Sequence, residues 1–168
     1  MMMYEENAHK VNSAIESLGG RSRMQVIPIG AVDALLWAKD CLDRGEWVGI
    51  LGDRAVGSER LVHVPFLGSM AAFPAGPFLL AGILKVPVVL FASLYHGGNR
   101  YTEYFELFAE EIHIDRRDRE ADLAKWARRY AERLEHYCRL APYNWFNLYD
   151  FWEATPPLDP KVIARTTT

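Results

Sequence analysis

Between Val64 and Tyr95 the chain carries a single charged residue, Lys85. So long an uncharged run must either enter a membrane or be buried in protein. A spanning helix takes roughly 20 consecutive apolar residues. Here Pro65, Gly68, Pro74, Gly76, Pro77, Gly82 and Pro87 interrupt the run. A proline inside a helix removes a hydrogen bond and clashes with the preceding turn. The stretch therefore reads as a loop, a buried helix over 75–84 and a buried strand at "VPVVLFASL". No transmembrane segment is expected, and contact with a membrane surface stays open.

The flanks alternate in type. Ala8, Val11, Ile15 and Leu18 recur at helical spacing, and Gly19-Gly20 ends that pattern. "MQVIPI" is a short strand candidate, and residues 31–44 repeat the helical pattern through Val32, Leu35, Leu36 and Leu42. Gly45 suits the residue after a helix, because glycine accepts the left-handed conformation there. "EWVGIL" reads as a buried strand and "RYTEYFELF" as a partly alternating one. From about Asp118 to Arg139 a long helix is expected, with Leu123, Trp126, Ala127, Tyr130, Leu134, Tyr137 and Cys138 on one stripe. Strands alternating with helices imply an α/β fold, a layered, mostly parallel sheet flanked by helices. The expectation is one domain over residues 1–153 and an extended or disordered tail over 154–168.

Composition narrows the function classes. A net charge of −3 over 168 residues gives no global basic field for nucleic acid. Cys41 and Cys138 fall on apolar helical faces, which suits buried free thiols rather than a disulfide framework. No apolar leader stands in "MMMYEENAHK".

Two short stretches could carry chemistry. In "VGILGDR" an apolar run stops at Gly52, and Asp53 and Arg54 follow. In parallel α/β sheets ligands bind beyond the carboxyl ends of strands. Arg54 offers a planar fork of donors suited to a phosphate or another oxyanion, with Asp53 orienting it or meeting a hydroxyl. Alternatively the two only pair or cap a loop. In "FPAGPF", Phe73 to Phe78, Gly76 permits close backbone approach and the prolines stiffen the turn. A plain rigid turn would read the same way.

The order "VGILGDR", "FPAGPF", "KVPVVLF" at 48–54, 73–78 and 85–91 resembles the later blocks of the glycerolipid acyltransferase superfamily. "HVPFLGSMAAFPAGPFLLA" is most similar to the branch of lipid A biosynthesis (lauroyl/myristoyl-type) acyltransferases. The similarity runs from about Tyr4 to Trp152. It implies transfer of an acyl group from acyl carrier protein, or acyl-CoA, to a hydroxyl of a lipid or glycolipid acceptor. It implies acceptor contacts at Asp53, Arg54, Phe73, Pro74 and Gly76, no metal and no cofactor. It implies a peripheral place on the cytoplasmic face of the inner membrane.

The family's base is the histidine of a His-x4-Asp/Glu motif ahead of the Asp-Arg block. A histidine there takes the acceptor's proton while the carboxylate orients it. "HIDRRD", His113 to Asp118, has the spacing but stands after the Val-Pro-Val strand, with Asp118 as a helix N-terminal residue. His9, His63, His96 and His136 have no acid five residues on. The chain thus reads as the C-terminal part of such an enzyme, incomplete at the N-terminus and inactive as it stands, so catalytic residues are assigned to none. A sheet edge left open would favour self-association into a homo-oligomer.

Three features remain. Arg116, Arg117 and Arg119 form a basic cluster that would meet an acidic carrier protein or anionic lipid, or would simply be solvated. "PYNWFNLYDFW" is an acyl-chain wall, an interfacial anchor, or a lid of rings closing the core. It lacks the family's Trp-x-His-Arg-Arg-like ending, so acceptors other than lipid A are equally suited. The other readings are a non-catalytic lipid- or partner-binding remnant and a phosphate-binding α/β domain. "LGDRAVG" and "LGGRSR" match neither GxxxxGK[ST] nor GxGxxG.

Overall fold

The computed structural model describes residues 2–3, 26–29, 33–54, 59–147 and 151–152. The predicted helix over 5–18 and the tail over 154–168 lie outside them. The chain resolves into two units, Met1–Asp53 and Arg54–Thr168.

In the first unit, β1 (Met2–Met3) pairs parallel with β2 (Ile27–Pro28). Helix α1 spans Ala34–Asp43 and buries Ala34, Ala38 and Cys41. It ends as expected. Gly45 takes φ +77°, and its N–H reaches the Leu42 carbonyl at 2.9 Å. "EWVGIL" is not a buried strand. Among the described residues it pairs in no ladder, Trp47 is 79% exposed, and Met2 N–H donates to Gly49 O at 2.8 Å.

The second unit begins with a hairpin, β3 (Leu61–Phe66) and β4 (Ser69–Pro74), antiparallel in the register Leu61↔Pro74 to Phe66↔Ser69. Val62, Val64 and Phe66 point inward while His63 and Pro65 point out, the period of two of a half-buried strand. Leu67 and Gly68 turn the chain with φ +48° and +88°. Two positive φ values in a two-residue loop match the natural twist of a hairpin. The Leu67 N–H is held by Glu135 Oε2 at 2.7 Å. Helix α2 follows (Gly76–Leu84), and Lys85 ends it in the left-handed conformation at φ 53°.

A second hairpin, β5 (Val88–Tyr95) and β6 (Tyr101–Ala109), is also antiparallel. The long helix α3 (Arg119–Leu140) buries Leu123, Trp126, Ala127, Ala131, Tyr137 and Cys138, close to its expected stripe. The core gathers Val64, Phe66, Phe73, Phe78, Phe108, Ile112 and Leu123. Cys41 and Cys138 are both buried thiols and are joined in no disulfide.

The expectation of a layered, mostly parallel sheet flanked by helices fails. Among the described residues there are three separate two-stranded sheets, and only the two-residue pair β1–β2 is parallel. The reason is connection length. A parallel pair needs a crossover of a dozen or more residues, whereas a two-residue turn can only reverse the chain. Leu67-Gly68 and the short link His96–Arg100 impose antiparallel pairing on the strands they join.

Candidate functional site

The predicted acceptor residues fall into distinct settings. Phe73 and Pro74 end β4, and both are fully buried. The Phe73 ring meets Phe66 edge-on at 5.5 Å, Phe151 at 5.5 Å and Tyr130 at 5.9 Å. Its place is in the core, so any effect on a ligand passes through the turn it anchors. Gly76 is exposed, and a Cβ there would meet nothing within 4 Å. Its φ is not positive, so the turn does not demand glycine for backbone conformation.

The turn is nevertheless tightly placed. Ala75 N–H donates to Arg60 O at 2.8 Å, pinning "FPAGPF" to the start of β3. Arg60 in turn pairs with Glu120 at the start of α3. Pro77 lies in the first turn of α2, where a missing N–H costs nothing. No acidic residue occupies that first turn.

Arg54 is exposed, and its Nη2 donates to Phe146 O at 3.1 Å. This contact joins residues 92 positions apart and could not be read from the sequence. A guanidinium has five N–H donors. With one of them on a carbonyl, the head is oriented while other donors stay open to solvent. Asp53 is half-buried at the end of the first unit.

The aromatic segment after α3 acts largely as a lid on the core. Trp145, Phe151 and Trp152 surround Phe66 at 5.2, 5.6 and 6.1 Å. Phe151 is buried, whereas Tyr143 and Phe146 face outward.

Among the described residues the histidines hold no dyad of the expected kind. His113 is exposed, its Nδ1 lies 3.3 Å from Glu111, and its carbonyl accepts the Trp126 indole N–H at 3.1 Å. Asp118 immediately precedes α3, as the sequence indicated. His63 faces out from β3, and His96 meets Thr102 Oγ1 at 2.9 Å.

A polar cluster that sequence reasoning missed ties β6 to α3. Arg133 donates through Nε and Nη2 to Glu106 Oε2 at 3.0 and 2.7 Å, and Tyr137 OH donates to the same oxygen at 3.2 Å. Hydrogen bonding to Glu106 raises the Arg133 pKa, and burial raises that of Tyr137. The alternation of "RYTEYFELF" hinted at Glu106, but nothing local named Arg133 as its partner.

On the other face of the β5–β6 hairpin, Phe91, Tyr95, Tyr101, Phe105 and Leu107 are exposed. Phe91 packs on Phe105 and Tyr95 on Tyr101, each at 5.1 Å. Among the described residues no helix is long and apolar enough to cross a membrane.

The family model for bacterial lipid A biosynthesis acyltransferases matches residues 1–153. No curated protein matches the chain.

Proposed function

We infer that this chain, which belongs to the bacterial lipid A biosynthesis acyltransferase family, serves transfer of a fatty acyl group to a hydroxyl of a lipid or glycolipid acceptor. The donor is acyl carrier protein or acyl-CoA. Arg54 supplies the anion-holding group of the acceptor side, next in sequence to Asp53, and the buried Phe73 and Pro74 serve only by anchoring the turn that carries Gly76. The observation that carries this reading is the family match, taken with an exposed Arg54 whose head is oriented by one carbonyl. An oriented guanidinium with free donors suits a phosphate or carboxylate of a headgroup.

Within this sequence no His-x4-acid stands ahead of Gly52-Asp53-Arg54. By itself the chain therefore binds acceptor and transfers no acyl group. The amphipathic rings of Tyr95 and Tyr101, beside Phe91 and Phe105, suit the headgroup level of a bilayer and support a peripheral position on the inner membrane's cytoplasmic face.

The test pairs binding with turnover. Calorimetry against a phosphorylated glycolipid in micelles should show binding that Arg54→Ala weakens by about ten-fold or more, since a hydrogen bond to a charged group is worth about 1.5–3 kcal/mol. Equal binding by both proteins would remove the anion-holding role. Acyl transfer from acyl carrier protein should be absent. Transfer that is present and disappears in His113→Ala would give "HIDRRD" the catalytic part denied to it here.

A further inference from the structure

Among the described residues the hairpin β5–β6 stands as a separate two-stranded sheet, so each of its strands has an outer edge. The phase of the ladder fixes which backbone groups face those edges. His96 N–H donates to Arg100 O at 2.9 Å, one step beyond the Tyr95↔Tyr101 pair. In antiparallel pairing, hydrogen-bonded and non-hydrogen-bonded pairs alternate. Tyr95↔Tyr101, Ser93↔Glu103, Phe91↔Phe105 and Val89↔Leu107 are therefore the non-hydrogen-bonded pairs. Their N–H and C=O groups point away from the hairpin.

The two edges differ. On β5 the outward Tyr95 N–H donates to the side-chain oxygen of Asn144, in the short helical turn Pro142–Asn144. That bond agrees with the phase and closes this end of the edge. On β6 the outward groups of Tyr101, Glu103, Phe105 and Leu107 meet no partner among the described residues. The side chains of Tyr101, Phe105 and Leu107 are exposed as well, Phe105 by 70%. A long apolar edge of this kind invites another strand.

The pattern of β6 suits a second β6. Phe105 is the midpoint of Tyr101–Ala109. Antiparallel pairing about it sets Phe105 against Phe105 of the second copy, Glu103 against Leu107, and Tyr104 against Glu106. No acid then faces an acid, whereas pairing centred on Glu103 or Glu106 sets that residue against itself. The Phe91–Phe105 pair, packed at 5.1 Å, continues across the axis as a row of rings. Arg133 and Tyr137 bond only to Glu106 Oε2, which leaves Oε1 for the Tyr104 hydroxyl of the second copy.

We propose that β6 pairs antiparallel with β6 of a second copy about Phe105, joining two hairpins into one continuous sheet. Lipid cannot occupy this edge, since hydrocarbon offers no partner for backbone N–H and C=O groups. A two-fold axis perpendicular to the sheet keeps both outer faces on one side, so the aromatic surfaces of the two copies become one. The paired strands are about 30 Å long, so the interface is small and the dimer is micromolar rather than nanomolar.

Sedimentation equilibrium on the full chain across the micromolar range measures the monomer–dimer constant. Phe105→Lys opposes like charges at the axis and should weaken the dimer about ten-fold. The control, Phe91→Lys, removes the same ring pair and adds the same charge one strand away from the edge. It should stay within about two-fold of wild type. Circular dichroism and thermal melting establish that each variant is folded. Oxidation of single-cysteine variants reads the register, because Cys41 and Cys138 are buried. Phe105→Cys should link to itself, since opposed Cα atoms lie about 5.5 Å apart, within disulfide reach. Glu103→Cys and Leu107→Cys should each stay unlinked alone and link when mixed, since either residue lies about 13 Å from its own copy. A wild type that stays monomeric throughout would overturn the dimer. So would a loss equal in both lysine variants, which would move the contact to the aromatic face, or a loss in neither. Self-linking of Glu103→Cys or Leu107→Cys as fast as Phe105→Cys would overturn the register. A monomeric wild type that binds phosphatidylcholine vesicles through both Phe91 and Phe105 would give the surface to lipid instead.

Discussion

Replacing Phe73 separates a core role from a ligand role. The ring is 0% exposed and meets three other rings within 6 Å, Phe66, Phe151 and Tyr130. Truncating a buried Phe to Ala costs about 3–5 kcal/mol, and each aromatic pair adds about 0.5–1.5 kcal/mol beyond its area. Three lost pairs put Phe73→Ala near the upper end of that range. Against a total stability of about 5–15 kcal/mol, the variant loses a third or more. At about 2–4 °C per kcal/mol its melting temperature drops by roughly 10–20 °C. Urea unfolding followed by fluorescence of Trp126 and Trp145, both packed on the same core, measures the change. Phe73→Leu keeps most of the volume and should lose about 1–2 kcal/mol. It should also keep wild-type acceptor binding. A cost for Phe73→Ala below about 1 kcal/mol at unchanged denaturant slope would refute the packing argument. Acceptor binding lost in a Phe73→Leu protein of near wild-type stability would show that the ring touches ligand.

Three further outcomes follow from local geometry. Lys85 ends α2 at φ 53°, where a side chain is strained and glycine is not, so Lys85→Gly should stabilise by about 0.5–1 kcal/mol in a thermal or urea melt. A Cβ at Gly82 would lie 3.3 Å from Ile112 O and 3.4 Å from Ile114 Cδ1; Gly82→Val should cost about 1–3 kcal/mol by the same measurement. The Glu135 pKa is lowered by its hydrogen bond to Arg139 and then by the Leu67 N–H. A depressed carboxylate contributes stability above its unfolded pKa and loses it as pH falls through the folded value. Wild type should therefore melt higher than Glu135→Gln at neutral pH, with the gap closing on acidification; a gap independent of pH would contradict the assignment.

Much of the helical structure was legible from the chain. The stripe from Leu123 to Cys138 and the glycine at 45 mark α3 and the end of α1, because helix hydrogen bonds and helix faces join residues three or four apart. The extended character of "VPVVLFASL" and "RYTEYFELF" was legible too. The hairpin β3–β4 was not. Pro65 argues against a strand, and Leu67 is an unexpected residue for a positive φ. Pro65 is tolerated because a two-stranded sheet leaves each strand an open edge. Of the candidate site, the residue types at 53, 54 and 76 were visible, but not that Phe73 and Pro74 are core.

By itself, then, the sequence determined the helices α1, α2 and α3 and the extended character of β5 and β6, that Val64–Tyr95 is broken by proline and glycine rather than spanning, and the order of motifs that marks the family. Only the tertiary structure decided strand direction, the lid of Trp145 and Phe151 over Phe66, the Glu106–Arg133–Tyr137 cluster and the seat of Arg54 on the Phe146 carbonyl. The physical reason is range. Local hydrogen bonds and side-chain periodicity are written in neighbouring residues, whereas pairing across 92 positions depends on which distant surfaces bury each other at the lowest free energy.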